Sequence, residues 1–202
     1  IGGSSTNDAG IGAMQALGYK FLDSHNRELS GIGESLEKIV SIDDSEVLDN
    51  INEIEVIVMC DVNNPLTGKN GATYVYGPQK GGNKKSLDSL EKGMISYQKV
   101  LEEYSHKKIE NVEGLGAAGG LGSALYAFMN GKMQSGINVL LELNNFENLL
   151  ENTTVVITGE GKTDFQSACG KVIYGISSKC KERDIPVIVI SGSLGENIEQ
   201  LY

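Results

Sequence analysis

The 202 residues contain no tryptophan, only three prolines and only three cysteines. No apolar run approaches the ~20 residues that cross a bilayer as a helix. Cys60, Cys169 and Cys180 are odd in number and widely spaced, which excludes both a disulfide framework and a paired metal-ligand motif. Reduced thiols in a cytoplasmic protein is the plain expectation. Basic side chains are also scarce: 17 Lys and Arg against 27 Asp and Glu, a formal charge of −10. Duplex nucleic acid and anionic membrane surfaces call for a basic face, so neither is expected as a partner. No basic segment leading into an apolar one opens the chain, so no secretion signal is visible. The sequence opens on Ile1-Gly2-Gly3 and closes at Tyr202 inside an apparent helix, and it reads as a piece of a longer protein.

What is present is a 40% apolar share, enough for a packed core, and 26 glycines. Three short Val- and Ile-rich runs stand out: Glu55-Val-Ile-Val-Met-Cys60, Thr153-Thr-Val-Val-Ile-Thr158 and Pro186-Val-Ile-Val-Ile-Ser191. Each is broken by glycine or by Asp, Asn and Pro. Runs apolar on both faces predict strands covered on both sides, the habit of parallel sheets. Helices are predicted over 8–17, stopped by Gly18, over 86–104 with Leu87, Leu90, Met94, Tyr97 and Leu101 on one stripe, over 117–129 and over 167–181. The polar stretch 23–52 predicts loop with a short helix near Leu36. The fold class is α/β, mostly a parallel sheet with flanking helices, and in such sheets ligands gather beyond the C-terminal ends of the strands.

The residues at those ends are the candidates. Gly2-Gly3-Ser4-Ser5-Thr6-Asn7-Asp8 combines glycine freedom with hydroxyls; it is either an anion-holding turn or a plain helix cap. Asp61 follows the first buried run directly, in Asp61-Val-Asn-Asn64-Pro65, and is a candidate general base or Mg²⁺ contact. The plainer alternative is an Asx turn ahead of Pro65. Lys80, in Tyr76-Gly-Pro-Gln-Lys80-Gly81, offers a cation to phosphate or carboxylate. Gly114-Leu-Gly116-Ala-Ala-Gly119-Gly120-Leu-Gly122 formally contains G-x-G-x-x-G, but 106–113 is too charged for the buried strand a dinucleotide site needs. Gly159-Glu160-Gly161-Lys162-Thr163-Asp164 lacks the glycine a P-loop requires at position 156. Glu160 and Asp164 together suit Mg²⁺, which one or two carboxylates plus substrate phosphate commonly hold, and Lys171 could offset phosphate charge. His25 and His106 have no serine or cysteine beside them that would suggest a triad.

Taken in order, Ile1-Gly-Gly-Ser-Ser-Thr-Asn-Asp8, Cys60-Asp-Val-Asn-Asn-Pro-Leu-Thr-Gly68, Tyr76-Gly-Pro-Gln-Lys-Gly81, Gly116-Ala-Ala-Gly-Gly-Leu-Gly122 and Val156-Ile-Thr-Gly-Glu-Gly161 through Gly170-Lys171 resemble the type I bacterial glycerate kinase family. The resemblance runs nearly end to end. It implies a two-domain α/β fold, incomplete here, with 1–150 as inserted α/β domain and 151–202 as part of a flavodoxin-like domain. It also implies Mg²⁺-dependent phosphoryl transfer from ATP to D-glycerate, giving 2-phosphoglycerate or 3-phosphoglycerate. Asp61, Lys80 and Lys171 are then the expected catalytic residues. Gly3, Ser4, Asn7, Asn64, Gly119, Gly120, Gly159 and Gly161 would bind substrate or phosphate, and Asp8, Glu160 and Asp164 the metal. A homodimer stays open. Ala9, Lys162 and Cys169 depart from the family's usual Gly, Arg and His, and an acidic glycine-rich segment expected to line the site is not in the sequence. The alternative is a truncated domain that binds a sugar acid or a nucleotide without chemistry.

Overall fold

The computed structural model describes residues 1–163 and 172–195. They are of the α/β class, and the chain divides into two compact units, Ile1–Met133 and Gln134–Tyr202. Segment 134–150, expected with the first domain, lies in the second unit.

The first unit is built on one long helix. In chain order it contains α1 (Ile11–Ala16), β1 (Lys20–Leu22), a 3-10 turn at Gly33–Lys38, β2 (Ser41–Asp43), β3 (Ile57–Met59), α2 (Ala72–Tyr76), α3 (Lys84–Ser105), α4 (Leu121–Phe128) and β4 (Lys132–Gln134). The spine is α3. Its start is fixed by a capping box in which Asn83 Oδ1 accepts from the Ser86 N–H and Ser86 Oγ accepts from the Asn83 N–H, both at 3.0 Å. Its end is a left-handed His106 at φ +55°. Leu87, Met94, Tyr97 and Leu101 are buried as the periodicity predicts. Leu90 is only partly buried, and Glu91 and Gln98 occupy buried positions instead. The core behind α3 holds Phe21, Leu36, Leu66 and Leu115, all fully buried, with Phe21 edge-on to Tyr97 at 6.0 Å.

Two expectations need correction in this unit. The polar stretch 23–52 is not simply loop and helix: β1 pairs antiparallel with β2, Phe21 opposite Ile42. The helix expected over 117–129 starts at Leu121, because Ala117–Gly120 forms a kinked 3-10 turn with Ala118 and Gly119 left-handed.

The second unit contains α5 (Gly136–Leu143), α6 (Phe146–Leu149), β5 (Val156–Thr163), α7 (Val172–Lys181) and β6 (Val187–Leu194). β5 and β6 are parallel, with Ile157 beside Ile188 and Thr158 beside Val189. Gly175 lets α7 approach α5: a Cβ there would sit 2.6 Å from Ile137 Cγ1. Glu147 of α6 joins Lys179 Nζ at 2.6 Å and Arg183 at 3.4 Å. Here too the structure corrects the sequence. Gly159 through Thr163, expected as a loop beyond the strand, are strand residues held in the ladder with β6. The isoleucines expected to be covered are not: Ile157, Ile188 and Ile190, on one face of the pair, are 64%, 51% and 65% exposed. Among the described residues, no helix is long and apolar enough to cross a membrane.

Candidate active site

The site of the first unit is assembled from four glycine-rich segments far apart in sequence. The backbone of one crosses the backbone of another at Gly119. This residue is left-handed at φ +70°, and an added Cβ would lie 2.0 Å from the Thr6 carbonyl oxygen. Only glycine allows so close a passage. The crossing is tied by the Ala9 N–H, which donates to Gly119 O at 3.0 Å. Gly116 packs as tightly against the Pro65 carbonyl, 2.2 Å from an added Cβ, and its N–H donates to Asn64 O at 2.9 Å. The 114–122 segment therefore holds the 1–8 and 61–68 loops together through close backbone packing.

Lys80 closes the arrangement from a third loop. Its Nζ donates to Ser4 Oγ at 3.1 Å and to the Thr6 carbonyl at 2.7 Å, across more than seventy residues of sequence. Burial pushes the Lys80 ammonium below its ordinary pKa, while the nearby Asp8 carboxylate pulls it back up. Asn7 donates from Nδ2 to Thr73 Oγ1 at 3.1 Å. Its Oδ1 is buried and has no hydrogen-bond partner among the described residues. Asn7 and Lys80 line one cleft of about 440 Å³, together with Ser5, Glu34 and Gly81.

Asp8 braces the turn into α1: Oδ1 accepts from the Gly10 N–H at 3.0 Å and Oδ2 from the Gly12 N–H at 3.3 Å. That is the helix-start role weighed for this segment, and it leaves further lone pairs on both oxygens. Asn64 is held on three sides. Its Oδ1 accepts from Tyr76 Oη at 2.6 Å, its Nδ2 donates to Asn70 O at 2.7 Å, and its own carbonyl takes the Gly116 N–H. Asp61, expected at a buried strand end where a carboxylate would be costly, is exposed. His25 and His106 are exposed as well.

Of the sequence-predicted residues, Ser4, Asn7, Asp8, Asn64, Lys80, Gly119 and Gly120 come together in the first unit. Gly3 is at the left-handed φ of +63° in the loop that Lys80 grips. Gly159, Glu160 and Gly161 lie on β5 in the second unit. Asp164, Cys169 and Lys171 lie outside the described residues. No group of three or more His, Cys, Asp or Glu converges among the described residues. Sequence reasoning missed Thr73, Tyr76, Glu91 and Gln98. The last two carried a signal, because they fall four and eleven residues after Leu87, on the buried stripe of α3.

The sequence model of the Glycerate kinase family matches residues 1–202. The chain is 39% identical over 202 residues to the glycerate kinase of Halalkalibacterium halodurans, covering 100% of this chain and 53% of that protein. It is 41% identical over 198 residues to the glycerate 2-kinase of Escherichia coli K12, covering 98% of this chain and 52% of that protein. A crystal structure described as "putative glycerate kinase 2" from Salmonella typhimurium LT2 superposes with a TM-score of 0.86 at 40% identity, over 96% of this chain and 52% of that one. The chain thus spans about half the length of the relatives it matches, and it belongs to the glycerate kinase family.

Proposed function

We propose that the protein carrying this chain transfers a phosphoryl group from ATP to D-glycerate, forming 2-phosphoglycerate or 3-phosphoglycerate. The observation that carries this reading is the cleft shared by Lys80 and Asn7. A hydroxy acid needs a cation for its carboxylate and a hydrogen-bond partner for a hydroxyl. The Lys80 ammonium offers three donors, two of them engaged by Ser4 and Thr6. Asn7 lines the same cleft, and its buried Oδ1 has no partner among the described residues, a state that costs about 1–3 kcal/mol. Phosphoryl transfer needs positioning and charge neutralisation more than covalent chemistry, and tightly tied glycine loops suit that task.

Within this reading Asp61, exposed at the mouth of its loop, orients the acceptor hydroxyl or takes its proton, and Asn64 fixes the neighbouring backbone. Lys171 would add charge against phosphate. Gly159 and Gly161 would line the phosphate side. Mg²⁺ is commonly held by one or two carboxylates plus substrate phosphates. Asp8, Glu160 and Asp164 are alternative candidates to hold it, and bound at any of them it would neutralise phosphate charge. Asp8 would do so with the lone pairs its two backbone bonds leave over.

The test is ATP consumption by the full-length protein with and without D-glycerate, with the product identified by phosphorus NMR. Turnover that requires glycerate supports a kinase. Binding of glycerate or ATP without turnover would instead make it a binding module. Asp61→Asn should lower kcat at least tenfold, and a loss well below that excludes an essential base.

A further inference from the structure

The loop that carries Asp61 and Asn64 is gripped at its far end by two side chains that the reaction above does not use. Glu91 and Gln98 stand seven residues apart on α3, on the stripe that also buries Leu87, Met94 and Leu101. They are 4% and 8% exposed. Glu91 Oε1 accepts from the Gly68 N–H at 2.6 Å. Gln98 Oε1 accepts from Thr67 Oγ1 at 2.8 Å. The other Glu91 oxygen, Oε2, is buried with no hydrogen-bond partner among the described residues.

Burying a carboxylate with one oxygen unsatisfied is unfavourable, and an apolar residue on this stripe would pack without that penalty. What the carboxylate supplies is a charge-assisted bond to a single loop amide, shorter and stronger than a neutral one. Sterics do not hold Gly68: it is left-handed at φ +93°, and nothing lies within 4 Å of where a Cβ would be. The near part of the loop is tied to the other site segments through Asn64, Gly116 and Tyr76. The far end is tied to α3 by these two bonds, to the start of α2 by the Ala72 N–H donating to Leu66 O at 3.1 Å, and to the core by buried Leu66. We infer that Glu91, seconded by Gln98, is a positioning residue: by clamping Gly68 and Thr67 to α3 it fixes where Asp61 and Asn64 stand. This rests on the reading that the 61–68 loop meets substrate.

The experiment compares Glu91→Ala, Glu91→Gln and Thr67→Val with Met94→Ala in the full-length protein, below the unfolding temperature of each. Met94 is fully buried on the same helix, so Met94→Ala controls for lost stability alone. Two measurements are made: kcat and KM for glycerate and ATP, and amide hydrogen exchange of the peptide spanning 61–71. Glu91→Ala should lower kcat about tenfold with little change in KM for ATP, and should speed exchange of the loop about tenfold. Glu91→Gln, which keeps a carbonyl acceptor for Gly68, should recover kcat to within about threefold. Thr67→Val, close to isosteric, should lose about threefold, and it keeps the test alive if Glu91→Ala does not fold. Met94→Ala should lose stability while keeping kcat and loop exchange. The clamp is overturned if loop exchange is unchanged in the Glu91 and Thr67 variants, or if kcat follows stability alike in Glu91→Ala and Met94→Ala. A wild-type protein without glycerate-dependent turnover would defeat the kinase reading, and the exchange data would still decide the clamp.

Discussion

Replacing Gly119 by alanine asks whether the site depends on a backbone crossing that a side chain forbids. Gly119 lies at φ +70° between Ala118 at +54° and Gly120 at +92°. An L side chain in that conformation costs about 1–2 kcal/mol. The new Cβ would stand 2.0 Å from Thr6 O and 3.0 Å from Asn7 Cα. Both are backbone atoms, so the two segments must part, an overpacking cost of about 1–3 kcal/mol. Parting them also strains the 3.0 Å bond from the Ala9 N–H to Gly119 O, worth about 1 kcal/mol net. The total is roughly 3–6 kcal/mol. Gly81 separates the two contributions: it has φ +90° but nothing within 4 Å of its would-be Cβ, so Gly81→Ala carries the backbone cost alone. Urea unfolding of both variants, followed by circular dichroism, should place Gly119→Ala at least ~2 kcal/mol below Gly81→Ala. Because Thr6 is the segment Lys80 grips, KM for glycerate should also rise in Gly119→Ala at temperatures where it remains folded. Equal stability of the two variants, to within ~1 kcal/mol, would refute the claim that close approach rather than φ makes glycine necessary.

Two pH dependences follow from the same structure. Asp23 accepts from the His25 and Arg27 N–H groups at 2.8 and 3.0 Å and from Arg27 Nε at 2.9 Å, and the Arg27 guanidinium above all holds its pKa down from 3.8 to about 2. A depressed carboxylate contributes stability that is present above the unfolded value and lost as pH falls through the folded one. Urea midpoints should therefore drop more steeply between pH 4 and pH 2 in the wild type than in Asp23→Asn; parallel curves would dispose of the Arg27 contribution. Lys80 titrates below the ordinary 10.5 because burial disfavours its charge, and Asp8 opposes that shift. Glycerate affinity should fall on the alkaline side below pH 10.5, earlier still in Asp8→Asn, and Lys80→Met should remove the limb altogether. An alkaline limb that moves upward in Asp8→Asn would contradict the electrostatic link.

Local signals made much of this molecule legible. Leu87, Met94, Tyr97 and Leu101 recur at helical spacing and are buried on α3, and Gly18 ends α1 in a left-handed conformation, as its position predicts. The five glycine-rich segments were also readable, since residues that must turn sharply or pass close to other backbone are restricted to few types. What escaped depends on partners distant in the chain. Lys20-Phe21-Leu22 is too short and too mixed to declare a strand until Ser41-Ile42-Asp43 pairs with it. Gly159 through Thr163 look like a turn, yet the ladder with β6 keeps them extended. Ala118 has no local reason to be left-handed; the Gly119 carbonyl beside it accepts from Ala9, and the crossing imposes the conformation.

Glu91 and Gln98 expose the deeper limit of reading polarity along a helix. On an apolar stripe a polar residue registers as an interruption, so periodicity assigns it to noise. Burial reverses the inference. A group that is expensive to bury persists only where something nearby repays it, and here the partners are the Gly68 amide and the Thr67 hydroxyl of a single loop. The same logic applies to Asn7, which lines a cleft with Lys80 and whose buried Oδ1 has no hydrogen-bond partner among the described residues. Polar atoms that the fold buries without fully satisfying, rather than the exposed carboxylates that first draw the eye, are therefore where ligand recognition and loop placement should be sought in this chain.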